Sequence, residues 1–336
     1  MHAIYSAVFE PGFFGSEQVH VALTIGAVVA VVCAVTGVFT VLRGQSFGGH
    51  ALGDVSAAGG SGALLTGLPP VAGFVGLGVA GAAAMDLIGV RRLRSRDLAT
   101  GIVLGAAIGL TALFLYLQTY TGSATGATQQ ILFGSIFSTA AGTVPVVLIL
   151  GAVAVGCMAL IGRPLLLTTV SADVAAARGV PVRLVGLLYM AALAVSVGLS
   201  SLAVGAILST ALLIGPAATA VRLTRRLSGA LIAACLLGVA ATWLGVLLAY
   251  DSYYWDSSHQ SLPVSFFVVA LIFTGYLASG LAARRSAAGG RTAPAMSHPA
   301  VSHAAMSHPG KSHAAVAAAA AGTAAQAPRA RAGEGH

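Results

Sequence analysis

Apolar residues run along this chain in long unbroken blocks rather than at the three-to-four-residue spacing of a surface helix. The blocks fall at about 20–42, 47–67, 70–90, 98–120, 142–162, 184–200, 202–221, 228–250 and 262–283. Most come close to the roughly 20 residues that an α-helix needs to cross a bilayer at ~1.5 Å per residue. The pattern predicts an all-α, polytopic membrane protein with nine candidate passes. The boundary near Ser200–Ser201 is soft, and 184–221 also reads as a broken or re-entrant helix, so eight passes is the alternative count. A shorter apolar run, Ile131 to Phe137, sits in the loop 121–141 and is too short to span; it is expected at the membrane interface. Residues 1–19 form a short mixed segment and 20–285 the membrane domain. Residues 286–336 are rich in Ala, Ser, Pro and Gly without amphipathic pattern, which predicts a disordered tail.

Composition agrees with a lipid-embedded chain. Of its 336 residues 57% are hydrophobic and 8% charged, with a mean hydropathy of +0.91, where a soluble domain carries about 25% charged residues. The net charge of +8 resembles a nucleic-acid signal until its distribution is read. Arg43, the group Arg91, Arg92, Arg94 and Arg96, the set Arg163, Arg178 and Arg183, the group Arg222, Arg225 and Arg226, and the pair Arg284 and Arg285 fall at alternate ends of the blocks. The intervening loops, around 67–70, 121–141, 200–202 and 251–261, contain no Lys or Arg. This sorting places the C-terminus in the cytoplasm and, with nine passes, the N-terminus outside. No basic region precedes the first block, so a cleaved signal peptide is not expected. Cys33, Cys157 and Cys235 match neither a zinc module nor a disulfide framework.

Candidate chemistry concentrates in Gly48 to Gly67. His50 and Asp54 lie four residues apart and therefore share a helix face. Of the nine acidic residues, Asp54 alone falls well inside a predicted membrane helix, about 10 Å from its start. An ionisable pair is costly against lipid and should face protein or a wet cavity. Imidazole and carboxylate together suit a divalent cation. The plainer alternative is a hydrogen-bonded pair that holds helices together. The glycines of this block weaken an isolated helix, so it needs close neighbours or is partly unwound.

Other candidates are weaker. Asp251, Asp256 and His259 lie among aromatic residues in the loop 250–261, either as a cation entrance or as an ordinary interfacial belt. In 168–183, Thr168 or Ser171 can cap a short helix through Ala172–Arg178, with Gly179 suited to end it and Pro181 just beyond. Such a helix on the basic side either docks a partner or simply connects two spans. Ser-His recurs every five residues from Ser297 to His313, as a weak metal buffer or as low-complexity drift. Gly310-Lys311-Ser312 lacks the first glycine of a phosphate-binding loop, so no nucleotide site is expected. Gly59-Gly60-Ser61-Gly62 raises an intramembrane serine protease, but no base is placed to reach Ser61.

Five stretches give the chain a resemblance: VLRGQSFGGHALGDVSAAGGSGALL (41–65), DLATGIVLGAAIGLTALFL (97–115), QQILFGSIF (129–137), ADVAAARGVPVRLVGLLYM (172–190) and LAVGAILSTALLIGPAATAVRLTRR (202–226). In this order they resemble the integral-membrane permease of ABC-type importers for zinc, manganese and iron. In much of that family the carboxylate precedes the imidazole, as in Gly-Asp-Ala-Leu-Ser-His; here His50 comes first and Asp54 second, with the four-residue spacing kept. The resemblance implies a non-catalytic subunit that passes a divalent metal ion across the cytoplasmic membrane and binds no permanent cofactor. Its implied partners are a cytoplasmic ATP-binding subunit, an extracytoplasmic metal-binding protein and a second copy of the chain. It makes His50 and Asp54 the metal-pathway residues and 172–179 the helix that docks the ATPase, with Asp173, Arg178 and Gly179 foremost. An ATP-independent cation carrier is the alternative, and it would need no docking helix.

Overall fold

In a membrane, backbone N–H and C=O groups find partners only within the chain, so long apolar blocks become helices. The computed structural model describes residues 15–89, 93–120, 126–134, 136–224, 226–253 and 262–289. In chain order the helices are α1 (Glu17–Leu42), α2 (Ser46–Thr66), α3 (Pro70–Gly89), α4 (Leu93–Tyr120), the short α5 (Ala127–Phe133) and α6 (Val144–Val170). They continue with the short α7 (Ala172–Ala177), then α8 (Val182–Val204), α9 (Ala206–Leu223), α10 (Leu227–Ser252) and α11 (Val264–Gly289). No strand occurs among the described residues. The tail 291–336 and its Ser-His repeat lie outside them.

Among the described residues, eight helices are long and apolar enough to cross a membrane. The exception among the long helices is α2, whose 21 residues include His50, Asp54, Ser56 and Ser61. Neighbours surround it instead: α3, α4, α8 and α9 all pack against it. At one crossing, a Cβ on Gly59 would strike the Gly73 carbonyl of α3, and a Cβ on Gly73 would strike that of Gly59. The small residues read as helix-weakening in the sequence therefore serve close packing, and α2 stays helical throughout. α1 and α8 form the rest of the interior; 72% of the most apolar stretch of α8 is buried, against 11% in α4.

One boundary expected from the sequence is corrected. The break between α8 and α9 falls at Gly205, not at Ser200–Ser201. Ser200 and Ser201 are buried inside α8, where Ser200 Oγ donates to the Ser209 carbonyl at 3.4 Å. A serine can bond a nearby carbonyl without ending a helix. Gly205, by contrast, holds φ 93° and ψ 157°, a conformation that residues with a Cβ rarely adopt. In the segment 131–137, Ile131 is 1% exposed and Ile136 3%, so these two side chains pack into the bundle, while Phe133 is 41% exposed.

The 131–137 segment and the α8–α9 break meet at two glycines. Gly134 (φ 80°) and Gly205 press against each other: a Cβ on Gly134 would lie 2.6 Å from the Gly205 nitrogen, and one on Gly205 would lie 2.5 Å from the Gly134 nitrogen. The α5 segment thus covers the α8–α9 turn. That turn sits beside the middle of α2, because a Cβ on Gly53 would lie 3.0 Å from Ser209 Oγ and 3.8 Å from the Ala206 carbonyl. Helix α6 also differs from its expected end near 162. It runs through Arg163 and Pro164 to Val170, with Leu165 fully buried. A proline within a membrane helix is tolerated when neighbours pack around it.

Gly205→Ala combines backbone strain with a collision against the Leu132 carbonyl. It is expected to cost at least about 1–3 kcal/mol, the price of such strain alone. Gly156→Ala, in α6 with nothing within 4 Å, should be neutral. Thermal unfolding of the two purified variants in detergent checks the pair.

Candidate metal-transport site

The site begins where α1 turns into α2. Backbone bonds from Arg43, Gly44 and Gln45 back to Phe39, Val41 and Thr40 tie the turn tightly. The Arg43 guanidinium donates to Thr168 Oγ1 and Thr169 Oγ1, each at 3.2 Å, in the last turn of α6. It also lies 5.0 Å from the ring centre of Tyr189 in α8, whose hydroxyl shares a 2.9 Å hydrogen bond with Thr40. One cation thus holds three helices together just before α2 starts.

His50 and Asp54 follow on consecutive turns of α2. His50 Nε2 and Asp54 Oδ2 are 3.8 Å apart, too far for a hydrogen bond. The two groups face each other as an i,i+4 pair without a direct hydrogen bond between them. A metal–nitrogen and a metal–oxygen bond of about 2.1 Å each sum to more than that separation, so one ion can touch both atoms at a bent angle. The His50 side chain is 44% exposed and that of Asp54 19%, so both are accessible to an ion. Among the described residues, no cluster of three or more His, Cys, Asp or Glu forms a closed metal cage.

A residue that the spacing did not single out completes the arrangement. His50 Nδ1 and Thr210 Oγ1 of α9 share a 3.0 Å hydrogen bond. They meet because α2 and α9 run close: a Cβ on Gly49 would lie 2.9 Å from Leu213 Cδ2. The only hint in the sequence is the Ser209-Thr210 pair inside an apolar block, 160 residues away from His50.

Two cavities flank the polar core. One of about 370 Å³ is lined by Arg43, Gln45, Phe47, Asp86, Thr168 and Tyr189, among others, at the arginine-bearing end. The second, of about 210 Å³, lies between α2, α3, α8 and the α5 region, where Leu64, Phe74, Gln130, Thr143 and Leu202 line it.

The short helix α7 forms where the loop pattern placed it. Ser171, rather than Thr168, is its N-cap and accepts from the Val174 nitrogen at 3.3 Å. Gly179 follows with φ 78°; its nitrogen bonds the Ala176 carbonyl and that of Val180 bonds Ala175, the paired bonds of a Schellman end. Asp173 and Arg178 are exposed at the start and end of this helix. Asp251 lies in the last turn of α10, partly buried, while Asp256 and His259 fall outside the described residues. Ser61 is buried and donates to the Ala58 carbonyl at 3.0 Å, a structural hydroxyl rather than a nucleophile.

A helical bundle with a polar pair on an enclosed central helix defines a membrane permease. The profile of the ABC 3 transport family matches residues 16–279, and the chain belongs to that family. It is 32% identical over 232 residues to the manganese transport system membrane protein MntC of Halalkalibacterium halodurans, covering 68% of this chain and 78% of that protein. It is 31% identical over 246 residues to the chelated iron transport system membrane protein YfeC of Yersinia pestis, covering 73% and 81%. Among solved structures, PsaBC from Streptococcus pneumoniae in complex with Fab shares the fold, with a TM-score of 0.69 at 24% identity over 83% of this chain and 95% of the other.

Arg43→Leu removes both threonine bonds and the contact with Tyr189. Loss of hydrogen bonds to a charged group predicts destabilisation of about 1.5–3 kcal/mol, measured by unfolding of the purified protein in detergent.

Proposed function

We propose that this chain is the membrane-spanning subunit of an ATP-driven importer and passes a divalent metal ion along the face of α2 that carries His50 and Asp54. The observation that carries the reading is this pair, 3.8 Å apart and open to an ion, on the one long helix too polar to face lipid. Membership of the ABC 3 transport family favours ATP-driven transport over an independent carrier. The relatives are named for manganese and iron, and the nitrogen–oxygen donor set also accepts zinc. Two ligands per chain give modest affinity, which suits an ion that must leave again.

The half-exposed imidazole supports a second copy. A histidine and a carboxylate are costly against lipid, so another subunit covers this face and contributes a second pair. The arginine-bearing end faces the cytoplasm by the charge sorting of the loops. There α7 docks a separate ATP-binding subunit, with Asp173 and Arg178 exposed and Gly179 shaping the end of the helix. An extracytoplasmic metal-binding protein delivers the ion to the opposite face, with Asp251 at the end of α10 as a candidate entrance group.

Uptake of manganese, iron and zinc is measured in a transporter-deficient host that expresses the chain with its ATPase and binding protein. His50→Ala and Asp54→Asn should each lower uptake of the cargo metal by about 10-fold or more, with the protein still in the membrane. Unchanged uptake in both reduces the pair to helix packing. In the same assay, Gly179→Val strains the end of α7 at φ 78° and should uncouple transport. Full activity in that variant supports the ATP-independent carrier instead.

A further inference from the structure

The two ring nitrogens of His50 have different surroundings. Nε2 faces the Asp54 carboxylate at 3.8 Å, on the open side, whereas Nδ1 is 3.0 Å from Thr210 Oγ1 on α9. An imidazole that binds a metal through one nitrogen carries its proton on the other, and a partner for that proton fixes both tautomer and ring orientation. We infer that Thr210 is a positioning residue for metal transport: it accepts the Nδ1 proton of His50 and so presents the Nε2 lone pair to the ion beside Asp54. The inference rests on the reading of His50 as a ligand.

The surroundings of Thr210 make it an anchored partner. Thr210 follows Ser209, whose hydroxyl donates to the Ala206 carbonyl at 2.8 Å and packs against Gly53 of α2. Three contacts within about one turn of each helix, Ser209 with Gly53, Thr210 with His50 and Leu213 with Gly49, set the register of α9 on α2. The start of α9 is in turn held by the backbone contact of Gly205 with Gly134. The Thr210 hydroxyl therefore has a defined place, and the ring of His50 is aimed by an element other than its own helix.

The test uses the complete permease–ATPase complex in detergent and in proteoliposomes. Binding of Mn²⁺ without ATP is followed by electron paramagnetic resonance, and transport by uptake at varied metal concentration. Thr210→Val keeps the shape of the side chain and removes the acceptor; it should weaken Mn²⁺ binding about 10-fold or more and raise KM with little change in maximal rate. Thr210→Ser, which keeps the hydroxyl, should restore both. In a His50→Ala background, Thr210→Val should add nothing further, because its effect passes through the ring. Wild-type affinity in Thr210→Val, equal defects in the valine and serine variants, or additive losses with His50→Ala would each overturn the inference. If His50→Ala itself leaves Mn²⁺ binding unchanged, the ligand reading fails and the inference with it. A loss in His50→Ala without one in Thr210→Val removes the inference alone.

Discussion

The structure depends on the cost of placing a carboxylate and an imidazole at membrane depth. His50 and Asp54 sit in the second and third turns of α2, and neither can rest against hydrocarbon without a large penalty. The helix that carries them must therefore be enclosed by protein. Four helices pack around α2, and its backbone touches that of α3 at Gly59 and Gly73, where any side chain would hold them apart. Small residues at these crossings allow that enclosure, since membrane helices associate chiefly through close packing rather than through the hydrophobic effect. The open side of His50 is the one where Nε2 faces Asp54, while the side toward Thr210 is packed against α9.

This central helix is tied to neighbouring segments at its start and along its length. At its start, Arg43 joins the last turn of α6 to α8, and α6 leads within two residues into α7. Alongside its middle, α9 begins at a turn clamped under the α5 segment through Gly134 and Gly205. A displacement of α7 would reach α2 through Arg43, and one of the α5 segment would reach it through α9 and Thr210. These are contiguous packed routes to one pair of side chains.

Much of the fold was legible in the sequence because hydropathy and arginine placement are one-dimensional signals. The blocks gave the helices, the His50–Asp54 spacing gave a shared face, and Ser171, Gly179 and Pro181 outlined α7. What was not legible depends on contacts between distant segments. Ser200 and Ser201 looked like a boundary, yet both lie buried inside α8, the Ser200 hydroxyl bonds the Ser209 carbonyl across the hairpin, and the break needs the φ of Gly205. The burial of Ile131 was not legible because nothing in 121–141 reveals that its neighbours Leu132 to Gly134 close over the turn at Gly205. Thr210 was missed for the same reason: its partner is on another helix, and a lone threonine in an apolar block usually bonds its own backbone.

The most direct test of the central claim is X-ray absorption spectroscopy of the complex, loaded with its cargo metal and halted before release. The account predicts a shell of nitrogen and oxygen near 2.0–2.2 Å, with the multiple scattering of imidazole, that is lost in His50→Ala and altered in Asp54→Asn. A metal spectrum unchanged by both substitutions would place the ion elsewhere and contradict the assignment of the pathway to α2.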